Sequence, residues 1–173
     1  MIYTRSRLED ITNKHNGRYT ASAVGEVNVV QMMKDTKAVI GGEGNGGIIY
    51  PELHYGRDSL VGVALFLSHL VEQKTTVSGL RASYPSYFMS KQKIALTPEI
   101  DVDAILEKMA ETYKAQEITT IDGVKIDFES NWVHLRKSNT EPIIRIYTEA
   151  VTRDAADSLA NTIIGEIKQI AGL

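Results

Sequence analysis

The 173-residue sequence has no cysteine. A disulfide framework and any thiolate-bound metal are thereby excluded, and a reducing compartment such as the cytoplasm is the expected location. Proline (four residues) and tryptophan (one) are scarce, and the 13 glycines fall within ordinary globular usage, so collagen-like and proline-rich disordered classes are also excluded. No sign of charge dominates: 19 Lys and Arg stand against 22 Asp and Glu, for a net charge of −3. Such a chain has no broad cationic field to hold a nucleic-acid duplex or an anionic membrane, although a local basic pocket is compatible with it. No apolar run reaches the roughly 20 residues needed to cross a bilayer. The longest, over residues 60–71, is interrupted by Gly62, Ser68 and His69. The first seven residues lead into no apolar segment, so no signal peptide is expected. His15, His54, His69 and His134 show no HxH or HExxH spacing, and no Gly-x-Ser-x-Gly occurs. The expectation is a soluble cytoplasmic protein of one large or two small domains, without a histidine metal site or a serine-hydrolase nucleophile.

The first half alternates between helical and extended signals. Leu8, Ile11 and Thr12 at helical spacing predict a helix over 6–15, stopped by Asn16-Gly17. Residues 18–24 read as a short strand. Gly25 opens a second helix with Val27, Val30, Met33 and a weaker Val29 as its apolar positions, and 37–40 reads as a short buried strand. Residues 58–71 are the strongest helix. Their stripe of Leu60, Val61, Ala64, Leu65, Leu67, Leu70 and Val71 is wide enough to predict cover from both neighbouring layers. This order suggests βαβ units and a parallel or mixed sheet.

Around 79–85 the alternation breaks, and the domain boundary is placed there. A strand over 87–96 precedes a helix over 101–113, with Asp101 as N-cap and Val102, Ile105, Leu106 and Met109 as its buried stripe. Asp122-Gly123 within 118–128 predicts a two-residue type I′ hairpin. Strands over 132–136 and 143–149 and a helix over 153–170 complete a small α+β sandwich.

Two loops carry chemistry. Residues 41–47 read Gly41-Gly42-Glu43-Gly44-Asn45-Gly46-Gly47. They match G-x-G-x-x-G formally, but Ile48-Ile49-Tyr50-Pro51 follows where a dinucleotide fold would start a helix, and no Gly-Lys-Ser/Thr marks a P-loop. Glu43 and Asn45 are left as polar side chains on backbone that a ligand can approach closely. A carboxylate and an amide together suit sugar hydroxyls. A glycine-rich hairpin with exposed polar tips explains the loop equally well. The second loop, with its flanks, reads His134-Leu135-Arg136-Lys137-Ser138-Asn139-Thr140-Glu141-Pro142-Ile143-Ile144-Arg145. A turn over 137–142 would place Arg136 opposite Ile143 and His134 opposite Arg145. Both arginines and the histidine then share one face, the arginines a diagonal apart. Arginines beside a Ser-Asn-Thr turn suit a phosphate. The plainer reading pairs Arg136 with Glu141 and Arg145 with Glu149.

At these loops the sequence resembles the C-terminal part of the α-D-phosphohexomutase family of phosphoglucomutases, phosphomannomutases and phosphoglucosamine mutases. Residues 42–47 resemble that family's sugar-recognition loop, and Arg136-Lys137-Ser138-Asn139-Thr140-Glu141-Pro142 with Arg145 resembles its phosphate-binding loop. The resemblance runs along essentially the whole chain, including Val24-Gly25-Glu26. It implies an incomplete βαβ-type third domain over 1–83 and an α+β fourth domain over 84–173, thus an α/β plus α+β fold. It also implies phosphoryl transfer between C1 and C6 of a hexose through a phosphoserine and a bisphosphorylated intermediate, with Mg²⁺ held by an Asp-Gly-Asp motif. Glu43 and Asn45 would bind the sugar, and Arg136, Ser138, Asn139, Thr140 and Arg145 the phosphate. Asn45 and Gly47 stand where many members carry Ser and His. No active-serine context and no Asp-Gly-Asp motif occur here, so a C-terminal fragment, inactive alone and without its own magnesium site, is expected. Its partners would be a phosphorylated hexose, the missing N-terminal domains, and a second copy meeting it through the incomplete first module. A non-catalytic sugar-phosphate binder and a protein-interaction module are the competing readings.

Overall fold

The computed structural model describes residues 5–44, 46–97, 99–138 and 141–173. The chain divides into two compact units, Met1–Pro85 and Ser86–Leu173.

In the first unit, α1 (Arg5–Lys14) leads into Asn16 at φ 55 and then into residues 17–24 without regular structure. The strand expected over 18–24 is absent. An extended segment becomes a strand only when a neighbour accepts its ladder hydrogen bonds, and the described residues offer none there. Helix α2 (Glu26–Thr36) buries Val29 and Met33, and these pack with Ile49 in a small cluster that Val30 and Ala38 extend. Val27, read as apolar-facing, points to solvent. The helix is stopped by Lys37 in the left-handed region (φ 53), whose N–H returns to the last turn. Too few residues then remain before the glycines for the expected buried strand over 37–40, and Val39 and Ile40 are exposed.

The glycine segment is a hairpin: β1 (Gly41–Gly42) pairs antiparallel with β2 (Ile48–Ile49). No parallel pairing occurs among the described residues. Helix α3 (Ser59–Gln73) starts at Asp58, whose carboxylate accepts from the Val61 N–H at 3.0 Å. Its apolar stripe is not covered from two sides as expected: no α3 residue is buried, and Leu60 is 80% and Val71 77% exposed. Only the face around Gly62 meets β2, where a Cβ would lie 2.9 Å from Ile48 Cγ1. Helix α4 (Val77–Ala82), capped by Thr76, lies where the sequence pattern simply breaks off.

The second unit is one five-stranded antiparallel sheet with two helices. Strands β3 (Phe88–Ala95), β4 (Glu117–Thr119), β5 (Val124–Asp127), β6 (Trp132–Lys137) and β7 (Ile143–Ala150) are ordered β3-β7-β6-β5-β4. Helices α5 (Val102–Thr112) and α6 (Arg153–Ala171) pack on one face. Asp101 caps α5 as expected, and Val102, Ile105, Leu106 and Met109 are all buried. They meet Ile94, Val124, Ile126, Val133, Leu135, Ile144 and Ile146 from the sheet and Ala160, Ile163 and Ile167 from α6. Each fully buried aliphatic side chain contributes about 1.5–3 kcal/mol, which makes this layer the energetic centre of the unit. Thr148 reaches the same face without penalty because its hydroxyl donates to the Ala156 carbonyl at 2.7 Å. Residues 120–123 join β4 to β5 in place of the expected two-residue turn. Only Gly123 among them takes a positive φ, at 79°. Helices with partial hairpin structure, followed by this α+β layer, make the chain α/β plus α+β.

Candidate functional site

In the first unit the glycine hairpin is closed tightly. The Glu43 N–H donates to the Gly47 carbonyl at 2.9 Å, and the Gly46 N–H donates to the Glu43 carbonyl at 3.0 Å. A Cβ on Gly42 would collide with the Gly47 carbonyl oxygen, so glycine there is a steric requirement. Gly46 turns the chain at φ 91. The Glu43 side chain is held down, 10% exposed, with its Oε2 3.8 Å from Arg57 Nη1. Arg57 is anchored in turn by Glu26, Nε to Oε2 at 2.9 Å. This carboxylate–guanidinium–carboxylate chain joins the hairpin, the first turn of α2 and the segment before α3. No spacing rule in the sequence links Arg57 to Glu43 or Glu26. Asn45, the other predicted sugar contact, lies outside the described residues. Beside this chain, His54 Nε2 lies 3.2 Å from Asp58 Oδ2, while His54 Nδ1 accepts from the Gly56 N–H at 2.9 Å. The bond from the Val61 N–H, then that from His54, holds the Asp58 carboxyl below its ordinary range.

In the second unit the sheet register differs from the expected one by two residues. Arg136 stands directly opposite Arg145, and His134 opposite Tyr147. The strand ends later than assumed, at Lys137, so the connection is shorter and the two guanidinium groups come from adjacent residues across the ladder instead of a diagonal. Both arginines and the histidine do share the face away from the helices. Arg136 does not pair with Glu141; its Nε lies 3.1 Å from Oδ1 of Asp122, in the connection between β4 and β5. Arg145 makes no ion pair with a described residue, so the expected Glu149 pairing is absent. Glu149 instead accepts from Trp132 Nε1 at 2.9 Å. Ser138 is buried at the head of the connection, its N–H donating to the Ile143 carbonyl at 3.1 Å. Asn139 and Thr140 lie outside the described residues.

Asp122 was read only as a turn former, yet it organises this face. Its carbonyl meets His134 Nε2 and its carboxylate meets Arg136. No sequence spacing predicts this; the pairing of Val124 with Leu135 brings the turn over the end of β6. Burial holds the His134 imidazole below its ordinary range, against the opposing pull of the Asp122 carbonyl and charge, and the Arg136 and Lys125 charges push it further down. A neutral imidazole adds no charge beside the two arginines. Lys125, 2% exposed, is neutralised by Asp127 and lies 5.1 Å from the Trp132 ring centroid. Arg145 is thus, unlike Arg136, a cation on this face without a described carboxylate of its own. Among the described residues no three His, Asp or Glu side chains converge on a metal position. No described helix is long and apolar enough to cross a membrane.

Comparison with known proteins agrees with this layout. Residues 2–87 match the family model for phosphoglucomutase/phosphomannomutase alpha/beta/alpha domain III, and residues 92–166 match that for the C-terminal domain of the same family. A phosphoglucosamine/phosphogalactosamine mutase of Sulfurisphaera tokodaii is 36% identical over 171 residues, which is 98% of this chain and 37% of that protein. A phosphoglucomutase/phosphomannomutase of Thermococcus kodakarensis is 36% identical over 157 residues, covering 90% of this chain and 34% of that protein. The chain thus spans about a third of the length of the curated relatives it matches. In fold, it matches a Burkholderia thailandensis phosphoglucomutase/phosphomannomutase family protein with a TM-score of 0.74 at 20% identity, over 95% of this chain and 35% of that one. With both units matched in order by models of one family, the chain belongs to the phosphoglucomutase/phosphomannomutase family and carries its domain III and C-terminal domain.

Proposed function

We propose that this chain supplies the sugar and phosphate contacts of a phosphohexomutase that interconverts hexose 1-phosphate and hexose 6-phosphate through a phosphoserine and a bisphosphorylated sugar. The observation that carries the reading is the pair Arg136 and Arg145, adjacent across the ladder and beside the buried Ser138, with only one of the two tied to a carboxylate. Two like charges held side by side are unfavourable until an anion lies between them, and the planar donors of arginine fit phosphate oxygens bidentately. Asn139 and Thr140 complete the phosphate turn in this reading. Glu43, fixed by Arg57, and Asn45 receive sugar hydroxyls from the hairpin. Strands β6 and β7 hold the phosphate that is not being transferred.

The donor serine, the magnesium ligands and the N-terminal domains belong to the rest of the enzyme, so the chain alone binds without turning over. The Aspergillus fumigatus N-acetylphosphoglucosamine mutase solved with glucose 1,6-bisphosphate, a fold match at TM-score 0.62, supports a bisphosphorylated hexose as the ligand class. The cysteine-free composition supports the cytoplasm as its compartment. Titrating the chain with glucose 1-phosphate and glucosamine 6-phosphate while following backbone amides by NMR tests the reading. Shifts at Arg136, Ser138 and Arg145 are expected, and silence at millimolar ligand overturns it. Conversion of the 1-phosphate to the 6-phosphate by the purified chain overturns the assignment of the donor elsewhere.

A further inference from the structure

The second unit carries a pocket of about 390 Å³, lined by Glu141 and Arg145 of the phosphate-binding segment and also by Lys91 and Lys93 of β3 and by Ile143 and Tyr147 of β7. The register explains its charge. Lys93 stands directly opposite Arg145, and Arg145 directly opposite Arg136. Neighbouring strands lie about 4.8 Å apart, so three cations from three adjacent strands form one row across the sheet. Two residue pairs along, on the same face, Lys91 stands opposite Tyr147, its Nζ 5.6 Å from the ring centroid. Lys93 is exposed and makes no ion pair with a described residue, and β3 is the edge strand, which leaves the row open from that side.

We propose that Lys93, supported by Lys91, is a third cationic contact of the phosphate site, so that the site extends over β3 and takes the dianionic form of a phosphate ester. The inference rests on the phosphate reading of Arg136 and Arg145. Two guanidinium forks engage two oxygens of a phosphate, and the third oxygen of a dianion faces outward along the row, where the flexible Lys93 ammonium reaches it. Lys93 then answers the charge that a monoanion lacks.

Full-length chain is titrated with inorganic phosphate and with glucose 6-phosphate, following backbone amides by NMR. Variants Lys93→Ala, Lys93→Arg, Arg145→Gln and Lys168→Ala are compared, Lys168 lying on α6 of the opposite layer. The expectation is that Lys93→Ala weakens binding about fivefold, a typical effect for one partly exposed charged contact. Lys93→Arg should bind like the original chain, Lys168→Ala should be neutral, and the Lys93 amide should shift during the titration. Normal binding by Lys93→Ala while Arg145→Gln loses it overturns the role of Lys93 and leaves the arginine site standing. An equal loss in Lys168→Ala also overturns it, because the effect would then be net charge alone. Failure of the original chain to bind either ligand overturns the arginine site and this extension together.

Discussion

Replacing Arg145 by glutamine should make the unliganded chain more stable while abolishing its hold on phosphate. Arg145 has a cationic neighbour directly opposite on both sides, Arg136 on β6 and Lys93 on β3. Two unit charges roughly 6 Å apart repel by about 0.7–1.4 kcal/mol for an effective dielectric of about 40–80. Long side chains splay apart, and the Asp122 carboxylate screens Arg136, so measured cross-strand like-charge penalties of about 0.2–1 kcal/mol are the better guide. For the two pairs, relief of about 0.5–1.5 kcal/mol is expected, or a rise in Tm of roughly 3–8 °C for a unit of this size. Urea unfolding followed by tryptophan fluorescence reads this unit cleanly, because Trp132 is the single tryptophan and is 1% exposed. At about 0.01 M salt the Debye length is about 30 Å and the full difference should appear. At about 1 M it falls to about 3 Å and the difference should shrink. Saturating phosphate should reverse the order, since ligand stabilises only the chain that binds it. An Arg145→Gln chain no more stable than the original at low salt, or a gain untouched by salt, refutes the claim that the arginine pair is held in repulsion.

Other expectations concern the same sheet, one helix and one exposed face. Because burial depresses the folded pKa of His134 below the unfolded 6.5, its contribution is fully present above pH 6.5 and lost as pH falls through the depressed value. The loss has a slope of up to about 1.4 kcal/mol per pH unit, and His134→Gln should flatten that limb of a pH–stability curve. The Tyr113 phenol, pushed up to about 12 by burial and then by its bonds to Glu166, should contribute a late step to an alkaline absorbance titration. Its folded pKa is raised, so its contribution is complete below pH 10 and declines toward pH 12; Tyr113→Phe should remove that late step. Gly123→Ala should cost about 2 kcal/mol or more in urea unfolding, because a Cβ at φ 79 would meet the Leu135 carbonyl oxygen. Self-association through α3 should appear as concentration-dependent sedimentation, and a Leu60→Glu, Leu67→Glu double variant should sediment as monomer; a strictly monomeric original chain would refute this.

The amino-acid order was most informative where each element could satisfy itself within one unit. The buried positions of α5, its Asp101 cap, the starts of β6 and β7 and the span of α6 all follow from local periodicity and capping, and the second unit supplies both faces that such patterns need. The same rules misled in the first unit. Strands over 18–24 and 37–40 find no ladder partner among the described residues, and the apolar stripe of α3 remains in solvent. Composition excluded thiolate chemistry and a broad cationic surface, and the two polar loops stood out by residue type alone.

Which charges meet was decided only in three dimensions. The register of β6 on β7 set Arg136 opposite Arg145 instead of a diagonal away, and the pairing of β5 with β6 carried Asp122 onto both His134 and Arg136. Hairpin closure and the start of α3 drew Arg57 between Glu43 and Glu26. These partners are 12 to 31 residues apart in the chain or set by a two-residue slip of a ladder, distances at which side-chain period carries no information. The sequence determined which residues could hold a phosphate; strand register decided which of them stand together and which carboxylate each one keeps.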